Sequence, residues 1–271
     1  MKSLEDVSLL IIGYDPYRDV WDHYFELLNK YWSDRPKTYL ATNILTPDYI
    51  GVTVLPTSQD AEWSKKVYDS LDYIDTKYVI LLLEDFFTTR KVDNSRISDL
   101  MEIIKENQIQ YCKLLNQAKF RGEKFKEYGH LRISEKSDMY AISLQPAVWE
   151  KSFLKECVGP ENYNAWIFEL YKARTLNVNN DKINVLSDDR NILEITHAIV
   201  QSNYLRKAVR VFNKQNYKLN FSQRGVMSVS DTLKYRSKIF FAQYIPKALW
   251  KPFKAVGRIL NINFVSDKYK R

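Results

Sequence analysis

An acidic pair, Glu84 and Asp85, directly follows the most apolar six residues of the chain. Two adjacent carboxylates repel each other and are stabilised by a cation, and a hard divalent ion prefers oxygen ligands of this kind. Such an ion can also bind a diphosphate and neutralise the charge that develops as a phosphate group departs. The alternative is a solvated acidic turn, because acidic pairs are common. Composition alone leaves both interpretations open.

The elements that must position this pair lie in the first ninety residues, where apolar runs alternate with amphipathic patterns. Apolar residues spaced three or four apart indicate helices, and short apolar runs bounded by turn residues indicate buried strands. Strands separated by helices favour a mainly parallel sheet, whose ligands bind where the strands end. The predicted strands are 8–12, 37–42, 51–55 and 78–83, and the predicted helices are 20–31 and 60–71, the latter capped by Asp60.

The pattern is weaker in the later part of the chain, and we expect a polar surface excursion over residues 116–136. The other predicted strands are 139–144 and 194–200, and the other predicted helices are 96–115, 146–157, 163–173 and 239–260. These elements predict one domain over residues 1–203 whose two parts divide at about residue 115. A basic helical extension is predicted over residues 204–271.

Composition excludes several classes of protein. With 271 residues, 45% of them hydrophobic, the chain is long enough to fold around a sizeable core. Its seven glycines form no GxGxxG or GxxxxGK[ST] pattern, so phosphate binding would depend on a metal ion or basic side chains. Cys112 and Cys157 lack metal-ligand spacing and are expected to be buried thiols of a cytoplasmic protein. We also expect no signal peptide and no membrane-spanning segment.

The net charge of +8 is unevenly distributed, because residues 204–271 hold 16 Lys and Arg but only two acidic residues. Within this stretch, Lys247, Lys251, Lys254 and Arg258 repeat at helical spacing beside an apolar face. A basic amphipathic helix of this kind is typical of peripheral contact with an anionic membrane. A helix docked on its own domain, with a solvated basic face, is the alternative. The same basic region raises a non-enzymatic alternative, a nucleic-acid-binding protein, although no nucleic-acid motif is present.

Several segments, in order, resemble those of a group of bacterial glycosyltransferases from capsule, exopolysaccharide and O-antigen gene clusters, which look like members of the GT-A class. LLEDFF at 82–87 resembles their LLDDFF element, which takes the place of the DxD motif. The opening strand, turn and aromatic helix at 10–25 are similar to their start. AEWS at 61–64 stands where they have an acidic-Trp-Ser element.

Two later segments extend this resemblance over roughly residues 9–224. YAISLQPAVW at 140–149 and WIFE at 166–169 are similar to the family's SLQxxxW and PWxFE pattern. The chain departs from the pattern at Glu84, where Asp is more frequent, and at Ala165, where Pro is usual. The resemblance implies an α/β, Rossmann-like GT-A fold with a mainly parallel sheet flanked by helices. It also implies that residues 1–203 form the catalytic domain, with a donor half to about residue 115 and an acceptor half over about 116–203.

The resemblance implies a division of work between two carboxylates. Asp85 would be the main ligand of a divalent cation, Mn²⁺ or Mg²⁺, and of the donor diphosphate, with Glu84 assisting. Glu169 would be the general base, because an inverting transfer needs a carboxylate on the acceptor side to take the proton of the attacking hydroxyl. A helix-surface glutamate is the alternative for Glu169.

Further candidates surround these residues. By the GT-A resemblance, Asp15 and Tyr17, in the turn after the first strand, would contact the nucleotide base or ribose. A turn-forming aspartate and a surface tyrosine are the alternative for these two residues. Gln145, Trp149 and Trp166 are candidates for sugar or acceptor contacts, since indole faces stack on pyranose rings and an amide bridges hydroxyls. Core packing is the alternative for Trp149.

Two further candidates lie later in the chain. Arg224 is a candidate cation for the departing diphosphate. His197 is a weak candidate for a third metal ligand, and a core histidine is its alternative.

The sequence therefore predicts a glycosyltransferase that moves a sugar from a nucleotide-sugar donor, expected to be UDP-linked, to a hydroxyl of a lipid-linked or growing cell-surface glycan. We expect inversion at the anomeric carbon and a metal-bound diphosphate. The expected location is the cytoplasmic face of the bacterial inner membrane, with contact to anionic lipid through residues 245–260 and no nucleic-acid partner.

Overall fold

The computed structural model describes residues 4–114, 122–134, 141–174, 176 and 185–244. The chain divides into two compact units, Met1–Thr196 and His197–Arg271. The predicted membrane-contacting segment, residues 245–260, lies outside the described residues.

The strands, in chain order, are β1 (Val7–Ile12), β2 (Thr38–Thr42), β3 (Val52–Pro56), β4 (Tyr78–Leu83), β5 (Phe86–Thr88), β6 (Tyr111–Lys113), β7 (Lys124–Phe125), β8 (Tyr128–Ile133), β9 (Ala147–Glu150), β10 (Val185–Asp188), β11 (Ile195–His197), β12 (Ile199–Val200) and β13 (Asn203–Tyr204).

The first unit is built on a nine-stranded sheet with the order β3-β2-β1-β4-β9-β6-β10-β8-β7. Strands β1 to β4 run parallel to one another, β9 runs antiparallel to both of its neighbours, and β10 runs parallel to β6. Strands β7 and β8 form an antiparallel hairpin at the other edge, where β8 pairs with β10. The sheet is flanked by helices, so the predicted Rossmann-like α/β class is confirmed.

The helices of the first unit follow the predicted amphipathic patterns in the donor half. Helix α1 buries Trp21, Tyr24 and Phe25 among its apolar residues and leaves Asp22 and Glu26 exposed. The helices of this unit are α1 (Arg18–Tyr31), α2 (Trp63–Ser70), α3 (Asn94–Glu106), α4 (Lys151–Val158) and α5 (Ala165–Ile167), which continues as a π-helical turn, Phe168–Lys172.

Strands β1 and β4 form the middle of the parallel part because they are continuous apolar runs. Every residue of β1 is buried, and β4 is buried except for the partly exposed Leu83. Strands that are covered on both faces have such continuous apolar sequences. Gly13, the residue after β1, lies close to α1, because a Cβ at this position would be 2.7 Å from Cζ2 of Trp21.

Several predicted elements in the middle of the chain are wrong. The helix predicted to residue 115 ends at Glu106, and the strand β6 follows it. The helix predicted over 146–157 begins as strand β9, because a short apolar run is ambiguous between the two structures. Residues 141–144 form bends instead of a strand, and 139–140 lie outside the described residues. Asp60 does not cap α2; its carboxylate accepts a hydrogen bond from Ser58.

The second unit contains the hairpin of β12 and β13 and two described helices, α6 (Arg206–Lys214) and α7 (Val229–Tyr244). Helix α6 buries Ala208 and Phe212, while Lys207, Arg210 and Lys214 are exposed. In the part of the chain that the structure describes, no helix is long and apolar enough to cross a membrane.

Candidate functional site

One edge of the sheet gathers the ends of several strands. The register places both Leu81 of β4 and Lys113 of β6 opposite Ala147, the first residue of β9. The carboxyl ends of β4 and β6 and the amino end of β9 therefore lie together. The residues that continue from these ends are Glu84 and Asp85 on one side and Gln145 on the other. This edge is where an open α/β sheet binds its ligands.

Glu84 is buried at this edge, with 8% of its surface exposed. Its Oε2 accepts a hydrogen bond of 3.0 Å from the amide of Tyr14 and a second from the indole Nε1 of Trp21. Burial raises the pKa of Glu84 to about 8, although the two hydrogen bonds and the nearby Lys66 lower it. The carboxyl group thus joins the end of β4 to the turn after β1 and to α1.

Asp85 and Glu169 come from distant parts of the chain and lie within electrostatic range of each other at this edge. Glu169 lies in the π-helical turn, is partly buried, and accepts a 2.9 Å hydrogen bond from the amide of Leu144. Burial raises the pKa of Glu169, and the charge of Asp85 raises it further. Lys113 and Arg174 lower the pKa, so two cations also lie within electrostatic range. The arrangement combines a carboxylate of raised basicity with a second carboxylate and two positive charges.

Asp15 holds a loop together. Its Oδ1 accepts a 2.9 Å hydrogen bond from the amide of Asn43, and its Oδ2 accepts bonds of 2.9 and 3.0 Å from the amides of Ile44 and Leu45. Tyr17 ends the short 3₁₀ helix Asp15–Tyr17 and is partly exposed. The structure therefore shows a loop-bridging role for the Asp15 carboxylate, and its contact with a nucleotide stays a prediction.

The three candidates for sugar contacts differ in their surroundings. Trp149 is 0% exposed and packs in the core, with its ring 4.5 Å from Tyr111 and 6.3 Å from Phe168 between centroids. The burial agrees with the core-packing alternative for Trp149, and its sugar contact stays a prediction. Gln145 is partly exposed at the site edge. Trp166 is 47% exposed in α5, three residues before Glu169.

Arg224 and His197 belong to the second unit. Arg224 is buried there, and His197 is partly exposed at the end of β11. Their predicted roles in binding diphosphate and metal stay predictions.

Lys66 is the residue of this region that the sequence analysis missed. It is only 3% exposed, and its Nζ donates hydrogen bonds of 2.6 Å to the carbonyl of Gly13 and 3.2 Å to Oδ1 of Asn43. Burial lowers the pKa of Lys66, while the charges of Glu84 and Asp15 raise it. A signal was available in the sequence, because Lys66 lies on the same helix face as Trp63 and Val67, where an apolar residue is expected.

In the described part of the chain, no group of three or more His, Cys, Asp or Glu side chains is arranged to hold a metal ion. Glu84 already accepts two hydrogen bonds through Oε2. Mg²⁺, however, is often held by one or two carboxylates together with the phosphates of a substrate. A cation bound by Asp85 together with a diphosphate therefore stays a prediction.

No family model and no curated protein matches the chain. Among solved structures, TarS 1-349 of S. aureus is 13% identical with a TM-score of 0.45, covering 68% of this chain and 60% of that one. The same fragment in complex with UDP-GlcNAc is 14% identical with a TM-score of 0.46, covering 97% and 77%. A cytidylyltransferase from Leptospira borgpetersenii is 11% identical with a TM-score of 0.46, covering 90% and 98%. These are distant likenesses, and they identify no family.

Proposed function

We propose that this chain is a glycosyltransferase that transfers a sugar from a nucleotide-sugar donor to a hydroxyl group. The observation that carries the proposal is the hydrogen bond of Glu169 to Leu144, which places Glu169 beside the edge where Asp85 follows β4, with Asp85, Lys113 and Arg174 in electrostatic range. A transfer of this kind needs positive charge for a diphosphate and a base for an acceptor, and the two groups must come from different parts of the site.

Glu169 is the proposed general base. Its carboxylate takes the proton of the acceptor hydroxyl as that oxygen attacks the anomeric carbon, and the bond from this carbon to the diphosphate oxygen breaks. Attack from the side opposite the leaving group inverts the anomeric configuration. The hydrogen bond from the amide of Leu144 to Oε1 holds the carboxylate in place, so that Oε2 is the oxygen proposed to take the proton.

Asp85 is the proposed contact for the donor diphosphate through Mn²⁺ or Mg²⁺. When bound, the cation would neutralise charge on the diphosphate. Glu84 has a different part in the proposal: its hydrogen bonds with Tyr14 and Trp21 hold the turn after β1 beside the end of β4. The division differs from the sequence-based expectation, in which Glu84 assists the metal.

The proposed donor is a UDP-sugar, and the proposed acceptor is a lipid-linked or growing cell-surface glycan, as in capsule biosynthesis. The solved TarS complexes contain UDP and UDP-GlcNAc, so these two compounds are the first to test. We also propose peripheral contact with an anionic membrane through residues 245–260, at the cytoplasmic face of the inner membrane. Basic residues near an anionic surface contribute about 1 kcal/mol each to such contact.

The test is calorimetric titration with UDP, UDP-GlcNAc and other nucleotide sugars, each with and without Mn²⁺, followed by a donor-hydrolysis assay. We expect the parent protein to bind at least one donor more tightly with Mn²⁺, and Asp85→Ala to lose that gain. The absence of binding by any donor, or an Asp85→Ala variant that binds and hydrolyses like the parent, contradicts the proposal.

A further inference from the structure

The start of α2 is joined to the segment that leads to Glu169. Ser64 donates from its backbone amide to the carbonyl of Tyr163 over 3.0 Å. Its hydroxyl donates to the carbonyl of Glu161 and accepts from the amide of Tyr163, both over 2.7 Å. Asn162 adds two bonds at the surface, accepting from the amide of Glu62 over 2.8 Å and donating to the carbonyl of Asp60 over 3.0 Å. These five bonds connect parts of the chain about 100 residues apart.

The same stretch of α2 is joined to the other side of the site. Lys66 reaches the carbonyl of Gly13 and the side chain of Asn43. The amide group of Asn43 donates in turn to the carbonyls of Ser58, Gln59 and Ala61, with distances of 3.1, 3.3 and 2.8 Å. We call residues 13–15 and 43–45 the donor loops, and residues 60–66 the α2 clamp.

A packing contact completes the connection. The ring of Trp63 lies 5.0 Å from that of Phe168, between centroids, and Phe168 is fully buried directly before Glu169. The clamp therefore packs against the π-helical turn that holds Glu169, and it forms hydrogen bonds with the segment that precedes this turn. Its residues include the acidic-Trp-Ser element noted in the sequence, to which the proposed chemistry assigns no task.

We propose that Ser64 and Lys66 are positioning residues that hold the segment before Glu169 and the donor loops at a defined separation. The inference rests on the proposed function, because it concerns the base and the nucleotide site of that reaction. Ser64 and Lys66 lie two positions apart on one helix, which rises about 1.5 Å per residue. Because both connections are short and pass through one rigid helix, we expect little independent movement between the two groups that they hold. Displacing a reacting group by about 1 Å can reduce turnover about a hundredfold.

The chain offers variants that separate the two connections. Ser64→Ala removes the hydroxyl that serves Glu161 and Tyr163, while Lys66→Met removes the ammonium group that serves the donor loops. Lys65→Met is the matched control, because Lys65 lies on the same helix turn and its ammonium group pairs with Asp69 at 2.7 Å. Asn162→Ala is the second variant on the base side; Asn162 is exposed, so the change creates no cavity in the core.

Hydrogen exchange tests the connections without any need for activity. In Ser64→Ala we expect faster exchange at the amide of Tyr163 and unchanged exchange at the amides of Asn43, Ile44 and Leu45. In Lys66→Met we expect the reverse pattern, and in Lys65→Met neither change. Uniform acceleration in both Ser64→Ala and Lys66→Met indicates a general loss of stability and overturns the proposal.

Kinetics then test the positioning. Ser64→Ala and Asn162→Ala are expected to lower kcat about tenfold or more with little change in the donor KM, and Lys66→Met to raise the donor KM with a smaller change in kcat. Equal effects of Ser64→Ala and Lys66→Met on both constants, or kinetics like those of Lys65→Met, overturn the positioning proposal. If the parent protein binds no nucleotide sugar, the proposed function is wrong. The exchange pattern then still shows whether the clamp holds the donor loops and the segment before Glu169.

Discussion

The indole of Trp21 donates a hydrogen bond to the buried carboxyl group of Glu84, which stands 63 residues later at the end of β4. This contact joins α1 to the strand whose end forms the candidate site. It also gives the two neighbouring carboxyl groups different surroundings, because Glu84 is held by Trp21 and Tyr14 whereas Asp85 interacts electrostatically with Glu169. We therefore expect the two residues of the acidic pair to have separate roles.

The first prediction concerns the stability that this contact provides. Trp21→Phe keeps the ring but removes the indole donor, which leaves the buried Oε2 of Glu84 with one donor fewer. We expect the free energy of unfolding to fall by about 1–3 kcal/mol, as measured by urea denaturation. Glu84→Met, which removes the acceptor, and the double variant complete a thermodynamic cycle, and we expect a coupling energy of about 1 kcal/mol. Strictly additive effects contradict a direct interaction.

The second prediction separates two tryptophans that look similar in the sequence. Trp149→Phe leaves a cavity in the core beside Tyr111, so it should lower the free energy of unfolding by about 2 kcal/mol without changing substrate KM. Trp166→Ala removes an exposed ring, so it should leave stability nearly unchanged and raise the acceptor KM. Thermal denaturation and steady-state kinetics provide the two readouts. A changed acceptor KM in Trp149→Phe alone reverses the assignment.

The third prediction concerns pH. Glu169 must lose its proton to act as a base, and burial raises its pKa above the ordinary value of 4.5. We expect kcat/KM to rise with pH along an acid limb whose midpoint lies above 4.5. Lys113 lowers this pKa, so Lys113→Met should move the acid limb to higher pH. Lys124→Met, at an exposed position of β7, is the control. A shift to lower pH contradicts the assignment.

The sequence predicted the parallel half of the fold because its strands are long apolar runs with distinct turn residues between them. β1 and β4 carry this signal clearly. β6 does not, since it is three residues long and ends in Lys113, and the pattern of α3 extends into it. β9 has the composition of a buried helix, and its antiparallel pairing with β4 and β6 depends on contacts far apart in the chain.

The part of the candidate site that directly follows the apolar strand β4 could be predicted from the sequence. The parts that depend on contacts between distant residues could not. Asp85 follows β4 and could be identified from local sequence. The hydrogen bond from Lys66 to Gly13 joins residues 53 positions apart, and the hydroxyl contacts of Ser64 join residues about 100 positions apart. No local pattern encodes such pairs. The sequence left two alternatives for Trp149 because an aromatic residue in a motif looks the same whether it packs in the core or contacts a ligand.

Glu169→Gln separates the tasks that we propose for Asp85 and Glu169 in one transferase site. The substitution keeps the size and hydrogen-bonding capacity of the side chain while removing the base. With a donor and acceptor that the parent protein turns over, we expect an unchanged donor Kd and a turnover reduced by about 10²–10⁴-fold. Turnover at the parental rate in Glu169→Gln would show that Glu169 is not the base.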